Sequence, residues 1–280
     1  MQLRTGEMPL LRTMIQQLAG VHVDDTKGYL IESRLGPIAE RTGCANFNEL
    51  YFKLRYDADP TLKQEVIDAI TTHETNWFRD GAPYDAFQFK MAPESLDARG
   101  RLGTPKKLRV WSAACSTGQE PYGLAMILSE MIPDIATWDI QILGTDISKS
   151  TIATAEKGVY AAHDVSRTQR PQAMQRWFDQ TPAGAAVKPA IKKLVTFRQL
   201  NLLETSTAIG PFDIVFLRNV LIYFDKPTKL QILERVKRVM MPHGWLVLGS
   251  TENLVDVVPD WAPQTHCRAV VYQPNLLVKA

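Results

Sequence analysis

The sequence predicts a doubly wound, mostly parallel α/β sheet of the Rossmann-like kind, carrying a small insertion and preceded by a small all-helical N-terminal domain. Three observations predict it. Up to about residue 90, apolar residues recur at helical spacing and no strand-like alternation occurs. From Leu108 onward, apolar runs alternate with helix-like segments, the pattern of a parallel sheet wound on both faces. With 280 residues and 45% of them hydrophobic, the chain has material for two cores.

The elements follow in order. Leu10, Leu11, Met14, Ile15 and Leu18 place one helix. Leu30, Ile31, Leu35 and Ile38 place a second, with Gly43 as the glycine beyond its last turn. Phe47, Leu50, Tyr51 and Leu54 place a third. The stretch MAPESLDARGRLGTPKKLR is polar and rich in Pro and Gly, so it reads as a linker or surface loop. After it come the strand LRVWSAA, a helix over Gly123 to Met131, the strand WDIQILGTD and a helix near Ser150 to Gly158. Strands in LVTFRQLNLL and FDIVFLRNVLIYF, a helix over Lys229 to Met240, and strands in GWLVLGSTE and CRAVVYQP complete the alternation. The segment between Gly158 and Lys193 is too long for one crossover, so it reads as an insertion packed at the sheet edge. The expected division is a helical domain over 1–75, a connecting segment and linker over 76–107, and the α/β domain over 108–280 with its insertion at about 158–194.

Bulk chemistry removes several function classes. A net charge of +2 gives no support for general nucleic-acid binding. Cys44, Cys115 and Cys267 lie far apart, with no CxxC pair, which fits a reducing compartment and gives no zinc spacing. No run approaches the ~18 apolar residues of a membrane span, and the N-terminus has no continuous apolar stretch of a secretory signal, so a cytoplasmic protein is expected. The histidines are scattered without ligand spacing, and no metal is expected. Trp177, Phe178 and Trp261 read as packing residues, and Cys115 as a packed rather than reactive thiol.

In an open α/β sheet, ligands bind beyond the carboxyl ends of the strands, where strand order reverses. The loop Ser112 to Glu120 follows the first strand, and Asp146 ends the second. An acid in that place accepts hydrogen bonds from a ribose; equally, Asp146 can serve as the N-cap of the next helix. The loop holds only Gly118, without the GxGxxG that lets backbone approach a pyrophosphate, which argues against NAD. A ribose- and adenine-bearing ligand without phosphate fits better, and S-adenosylmethionine is the commonest of these.

The segments AITTHETNWFRD, SAACSTGQEPYGLAM, GTDIS, NLL and FDIVFLRNVLIYF resemble the chemotaxis-receptor methyltransferases of the CheR type. The resemblance covers nearly the whole chain and rests on several motifs in order. It implies transfer of a methyl group from S-adenosylmethionine to glutamate side chains of chemoreceptors, leaving S-adenosylhomocysteine. It also implies cofactor contacts at Thr75, Arg79, Glu120, Asp146, Asn201, Leu202, Arg218 and Asn219, and at His73, where some relatives have Asn. Gln119 replaces a glutamate and Ala114 a frequent glycine.

A glutamate carboxylate is ionised at pH 7, its reference pKa being about 4.3, so it attacks the methyl without a general base. Arg79 suits bidentate orientation of a carboxylate, either the acceptor's or the cofactor's. Tyr223 on generic grounds reads as a packed tyrosine; the resemblance makes it a donor to the attacking carboxylate or a wall of the methyl channel. Asn219 is followed by Val-Leu-Ile, not the Pro-Pro-Tyr of amine methyltransferases, which counts against an amino-group acceptor.

Lys27, Arg34 and Arg41 recur every seven residues and would share a face of one continuous helix, although Gly36-Pro37 interrupts the run. A solvated charged face is one reading; the resemblance implies docking on the acidic helices of the receptor's cytoplasmic domain. The resemblance also makes the insertion a small β-subdomain. Its loop QTPAGAAVKPA is shorter than in relatives that grip a tethering peptide, implying methylation without a tether. A monomer with no nucleic-acid partner and no membrane insertion is expected. Two other readings stand beside this one: a methyltransferase with a different acceptor, and a non-catalytic module that binds cofactor and docks.

Overall fold

Side chains that satisfy free helix-end amides open two of the N-terminal helices. In the computed structural model, which describes residues 1–57, 59–204, 209–254 and 260–275, Asn46 accepts from the Glu49 amide, and Asp59 from those of Thr61 and Leu62. Four helices result: α1 (Glu7–Ala19), α2 (Gly28–Arg41), α3 (Phe47–Tyr56) and α4 (Pro60–Ile70). Gly20 closes α1 in the left-handed conformation at φ 71°. The four pack about Leu11, Ile15, Leu35, Phe47, Leu50 and Val66, all completely buried. Each such side chain contributes about 1.5–3 kcal/mol by leaving water. Pro37 sits inside α2 without ending it.

The stretch read as a linker is largely helical. After α5 (Ala82–Ala86), a π-helical turn over Phe87–Met91 leads directly into α6 (Ala92–Arg101). The buried face of α6 is Ala92, Ser95, Ala98 and Arg99, small or charged rather than apolar. Arg99 donates to both carboxylate oxygens of the completely buried Asp213, at 2.8 and 3.1 Å, and so ties α6 to the central sheet.

The α/β part follows as β1 (Lys107–Ala113), α7 (Gln119–Met131), β2 (Asp139–Asp146), α8 (Lys149–Lys157), β3 (Val159–Tyr160), α9 (Ala162–Ser166), α10 (Pro171–Trp177), β4 (Phe178–Thr181), β5 (Gly184–Val187), α11 (Pro189–Lys192), β6 (Val195–Gln199), β7 (Phe212–Leu217), α12 (Lys226–Arg238), β8 (Met240–Leu248), β9 (Trp261–His266) and β10 (Ala269–Pro274). The large sheet has the order β6-β2-β1-β7-β8-β10-β9. Its neighbours are parallel except for β10, which runs antiparallel to both β8 and β9. β7 is buried along its whole length, as a central parallel strand covered on both faces must be. The chain runs from β1 outward to β6 and then returns to β7, so the switch point lies beside β1.

The insertion forms an antiparallel sheet of order β3-β5-β4. Trp77 packs edge-on against Tyr160 and Phe178 of that sheet, at 5.0 and 5.1 Å. The Tyr160 hydroxyl donates to the Thr117 carbonyl at 2.7 Å, bracing the loop after β1. β9 has no counterpart in the sequence reading, and residues 276–280 of the expected α/β domain lie outside the described residues. Among the described residues, no helix is long and apolar enough to cross a membrane, and no cluster of His, Cys, Asp or Glu has metal-holding geometry.

Candidate active site

A cavity opens at the carboxyl ends of β1, β2 and β7, with about 1190 Å³ of non-protein space, open solvent at its mouth included. Ala19, Val21 and Ile70 supply part of its wall, so the helical unit helps to build it.

The loop after β1 makes its turn with left-handed residues at alternate positions: Ala114 (φ 60°), Ser116 (φ 51°) and Gly118 (φ 93°). Only the last is glycine, and it is also the crowded one, since a Cβ there would lie 2.8 Å from that of Ala155. The sequence pattern of a single glycine concealed the other two turns. Asp146 holds this loop in place. Its Oδ2 accepts the Ser116 amide at 2.8 Å and its Oδ1 the Ser148 amide at 3.0 Å. The N-cap of α8 is Ser148, which accepts from Thr151, so Asp146 is not the cap. Burial raises the Asp146 carboxyl above its ordinary value, against the pull of those two amides. Burial likewise pushes the Cys115 thiol well up, with Asp146 and Glu120 adding to it, and leaves it unreactive.

Glu120 and Arg218 form the polar floor. Arg218 is 6% exposed and donates through Nη1 to Glu120 Oε2 at 2.8 Å. Its Nη2 donates to the Asp80 carboxylate and to the Arg79 carbonyl, both at 2.8 Å. Ser112 donates to the other oxygen of Glu120 at 2.8 Å, and the Tyr84 ring lies under the guanidinium at 5.5 Å. Burial works against the charge of Arg218, but Glu120 and then Tyr84 and Asp80 carry its pKa above the ordinary arginine value. Ser112, Asp80 and Tyr84 were not singled out from the sequence; no short spacing announces a pairing across 138 positions.

The remaining residues named from sequence also line the cavity. His73 turns its ring back toward Thr71 Oγ1 (3.0 Å) and offers its carbonyl to Ser116 Oγ (2.7 Å). Thr75 and Arg79 follow on the same segment; Arg79 donates to the Glu74 carbonyl at 3.3 Å and has no carboxylate partner among the described residues. The Asn201 amide donates to the Leu18 carbonyl at 3.0 Å, its oxygen accepts from Leu203, and Leu202 beside it is buried. Asn219 stands at φ 56° just past β7, and Tyr223 is half-buried in the 3₁₀ turn Leu221–Tyr223.

The basic triplet is distributed differently. Lys27 is exposed in a turn just before α2. Arg34 donates to the Ile70 carbonyl at 2.9 Å and closes the end of α4, while Arg41 pairs with Glu65. Arg34 is therefore turned toward α4, whereas Arg41 keeps its side chain 58% exposed beside Glu65.

Residues 73–271 match the family described as CheR methyltransferase, SAM binding domain, and residues 6–71 its all-alpha domain. Chemotaxis protein methyltransferase 1 of Pseudomonas aeruginosa is 37% identical over 285 residues, covering 100% of both chains. Chemotaxis protein methyltransferase Cher2 of Pseudomonas putida is 37% identical over 267 residues, 94% of this chain and 95% of its own. A third relative, chemotaxis protein methyltransferase 1 of Vibrio cholerae, is 33% identical over 86% of each chain. The site suits the cofactor of that family. Arg218 Nε is a buried donor without a partner, and Asp146 is an acceptor at the strand end where ribose is held. This donor and this acceptor suit the amino-acid and ribose ends of S-adenosylmethionine, and the chain belongs to the CheR methyltransferase family as an S-adenosylmethionine-dependent methyltransferase.

Proposed function

We propose that the protein methylates specific glutamate side chains on the cytoplasmic helical domain of chemoreceptors, forming methyl esters used in adaptation. The observation that carries this reading is Arg79, a cavity-lining cation with no carboxylate of its own, on the same cavity as Tyr223. An arginine in that state is available to a carboxylate from outside. Bound in the cavity, S-adenosylmethionine supplies an electrophilic methyl on a sulfonium sulfur and leaves as S-adenosylhomocysteine.

The chain's own residues then have positional tasks. Asp146 accepts from the ribose, Asn201 and Leu202 flank the adenine, and His73, Thr75, Glu120, Arg218 and Asn219 hold the methionine end. Arg79 orients the acceptor carboxylate and Tyr223 donates to it. The acceptor is already ionised, since its reference pKa is about 4.3, so no residue has to remove a proton. Alignment of nucleophile and methyl supplies the rate, and positioning of that kind is worth about 7–11 kcal/mol at most.

Docking belongs to the helical unit in this reading. The exposed Lys27 and Arg41 meet acidic receptor helices, and Arg34 keeps α2 and α4 in the shape that presents them. The enzyme acts as a monomer in the cytoplasm.

Transfer of labelled methyl to a purified chemoreceptor cytoplasmic fragment tests the proposal. Base-labile label is expected on the wild-type fragment alone. It should be absent when the candidate glutamates are alanine and with Arg79→Ala or Asp146→Ala enzyme. Retained S-adenosylmethionine binding without any transfer would overturn the choice of acceptor.

A further inference from the structure

We infer that Glu252 is a positioning residue for methyl transfer, its carboxylate fixing the turn that carries Asn219 and Tyr223. The inference rests on the role proposed above for Tyr223. Glu252 does not itself line the cavity. Its Oε2 accepts the backbone amides of Asn219 and Gly249, each at 2.7 Å. Its Oε1 accepts the amide of Ile222 at 3.3 Å. One carboxylate thus gathers three main-chain donors, two of them from the turn between β7 and α12.

That turn has to be held. Asn219 sits at φ 56°, a left-handed conformation that an asparagine adopts at some cost and keeps only when its surroundings impose it. Gly249 imposes it from the other side. A Cβ at position 249 would lie 2.6 Å from Asn219 Nδ2 and 2.9 Å from its backbone nitrogen. The chain after β8 therefore approaches the turn as closely as backbone can, and Glu252, three residues on, closes the contact with charge-assisted hydrogen bonds. Tyr223 follows directly on Ile222, so the amide held by Oε1 sets where the tyrosine begins.

A glutamine can keep the paired bonds of Oε2 with its single carbonyl oxygen; an alanine keeps none. The test compares full-length Glu252→Ala and Glu252→Gln proteins, each with and without Tyr223→Phe, per mole of folded protein. Glu252→Ala is expected to lower kcat by about 10- to 100-fold, the loss typical of a misplacement near 1 Å. Glu252→Gln should recover most of that loss. In the Tyr223→Phe background the alanine change should cost no more than about twofold, because coupled residues are not additive. Amide hydrogen exchange supplies a reading independent of any acceptor: Asn219 and Ile222 should lose protection in Glu252→Ala while the amides of β1 and β2 keep theirs.

Unchanged protection at Asn219 and Ile222 would overturn the inference, as would losses that multiply between Glu252→Ala and Tyr223→Phe. Should Glu252→Ala fail to fold, Glu252→Gln decides, with protection expected to fall at Ile222 more than at Asn219; equal protection to wild type at both would overturn it. A Tyr223→Phe enzyme with full kcat would remove the tyrosine's proposed role, and the exchange data would still judge the hold of Glu252 on the turn.

Discussion

At Asp146 two demands meet on one carboxylate. It fastens the β1–α7 loop through the Ser116 amide, and in the proposed function it also accepts, as the carboxylate, from a ribose. Burial raises its pKa above the ordinary 3.8, so the folded protein holds this proton more tightly than the unfolded chain does. The group's contribution thus favours the fold at low pH and is lost as pH rises through the interval from 3.8 to the raised value. A ligand that donates to the carboxylate favours the ionised form and expels the proton. Calorimetry is therefore expected to show S-adenosylmethionine affinity falling as pH drops toward that interval. Asp146→Asn should weaken binding at every pH, remove this dependence, and cost about 1–3 kcal/mol by leaving one amide without an acceptor. Arg218 carries a different prediction. Replacing it by methionine leaves Glu120, its side chain 12% exposed, with the Ser112 hydroxyl but no counter-ion, and urea denaturation should show a loss of about 3 kcal/mol. Asp80 adds little to that figure because its side chain is 30% exposed. Asp146 was legible in the sequence from its place at a strand end, and Glu120 through the family resemblance of its turn. Asp80, Ser112 and Glu252 were not, because their partners are brought to them only by the closed sheet.

The loop after β1 is the element that most repays attention to backbone conformation. Ala114 occupies a left-handed position that costs an L-residue roughly 1–2 kcal/mol. Ala114→Gly relieves that strain but loosens the unfolded chain, so a net gain of about 0.5 kcal/mol is expected by thermal denaturation. Gly118→Ala goes the other way. Its new methyl meets Ala155 Cβ at 2.8 Å and Phe197 at 3.1 Å, and a loss of about 2–3 kcal/mol is expected. Elements with an apolar period, such as α1, α2 and β7, could be read directly from the sequence. α6 could not, since it buries alanines, a serine and an arginine and so shows no hydrophobic repeat. β9 escaped for a related reason: it is an edge strand, with Pro263 in its middle and no buried residue after Trp261 to set an apolar alternation.

Over the whole molecule, the cavity lies on the seam between the helical and α/β units. The Leu18 carbonyl receives the Asn201 amide, and the His22 amide reaches the Tyr223 carbonyl at 2.8 Å. Gln16 donates to Thr228 at 3.2 Å, and Gln64 to the Ile147 carbonyl at the same distance. Gly20 is the tightest point, because a Cβ would lie 3.0 Å from Leu203 and 3.2 Å from Phe224, at φ 71°. Gly20→Ala is expected to lower stability by about 1–2 kcal/mol. It should also weaken S-adenosylmethionine binding in a calorimeter, because Ala19 and Val21 on either side line the cavity. The division into a helical and an α/β part was visible from the change in texture near residue 90. The seam was not, because nothing in a run of residues says which end of one helix meets which loop of a distant sheet.

This shared wall bears on how such enzymes can be re-targeted. Grafting the helical unit of one family member onto the α/β unit of another would transplant half of a mould without its counterpart. A working chimera has to carry the contacts of Gly20, Leu18 and His22 with Leu203, Phe224, Asn201 and Tyr223 as a matched set. With the docking proposed for the helical unit, receptor choice and cofactor grip are inherited together.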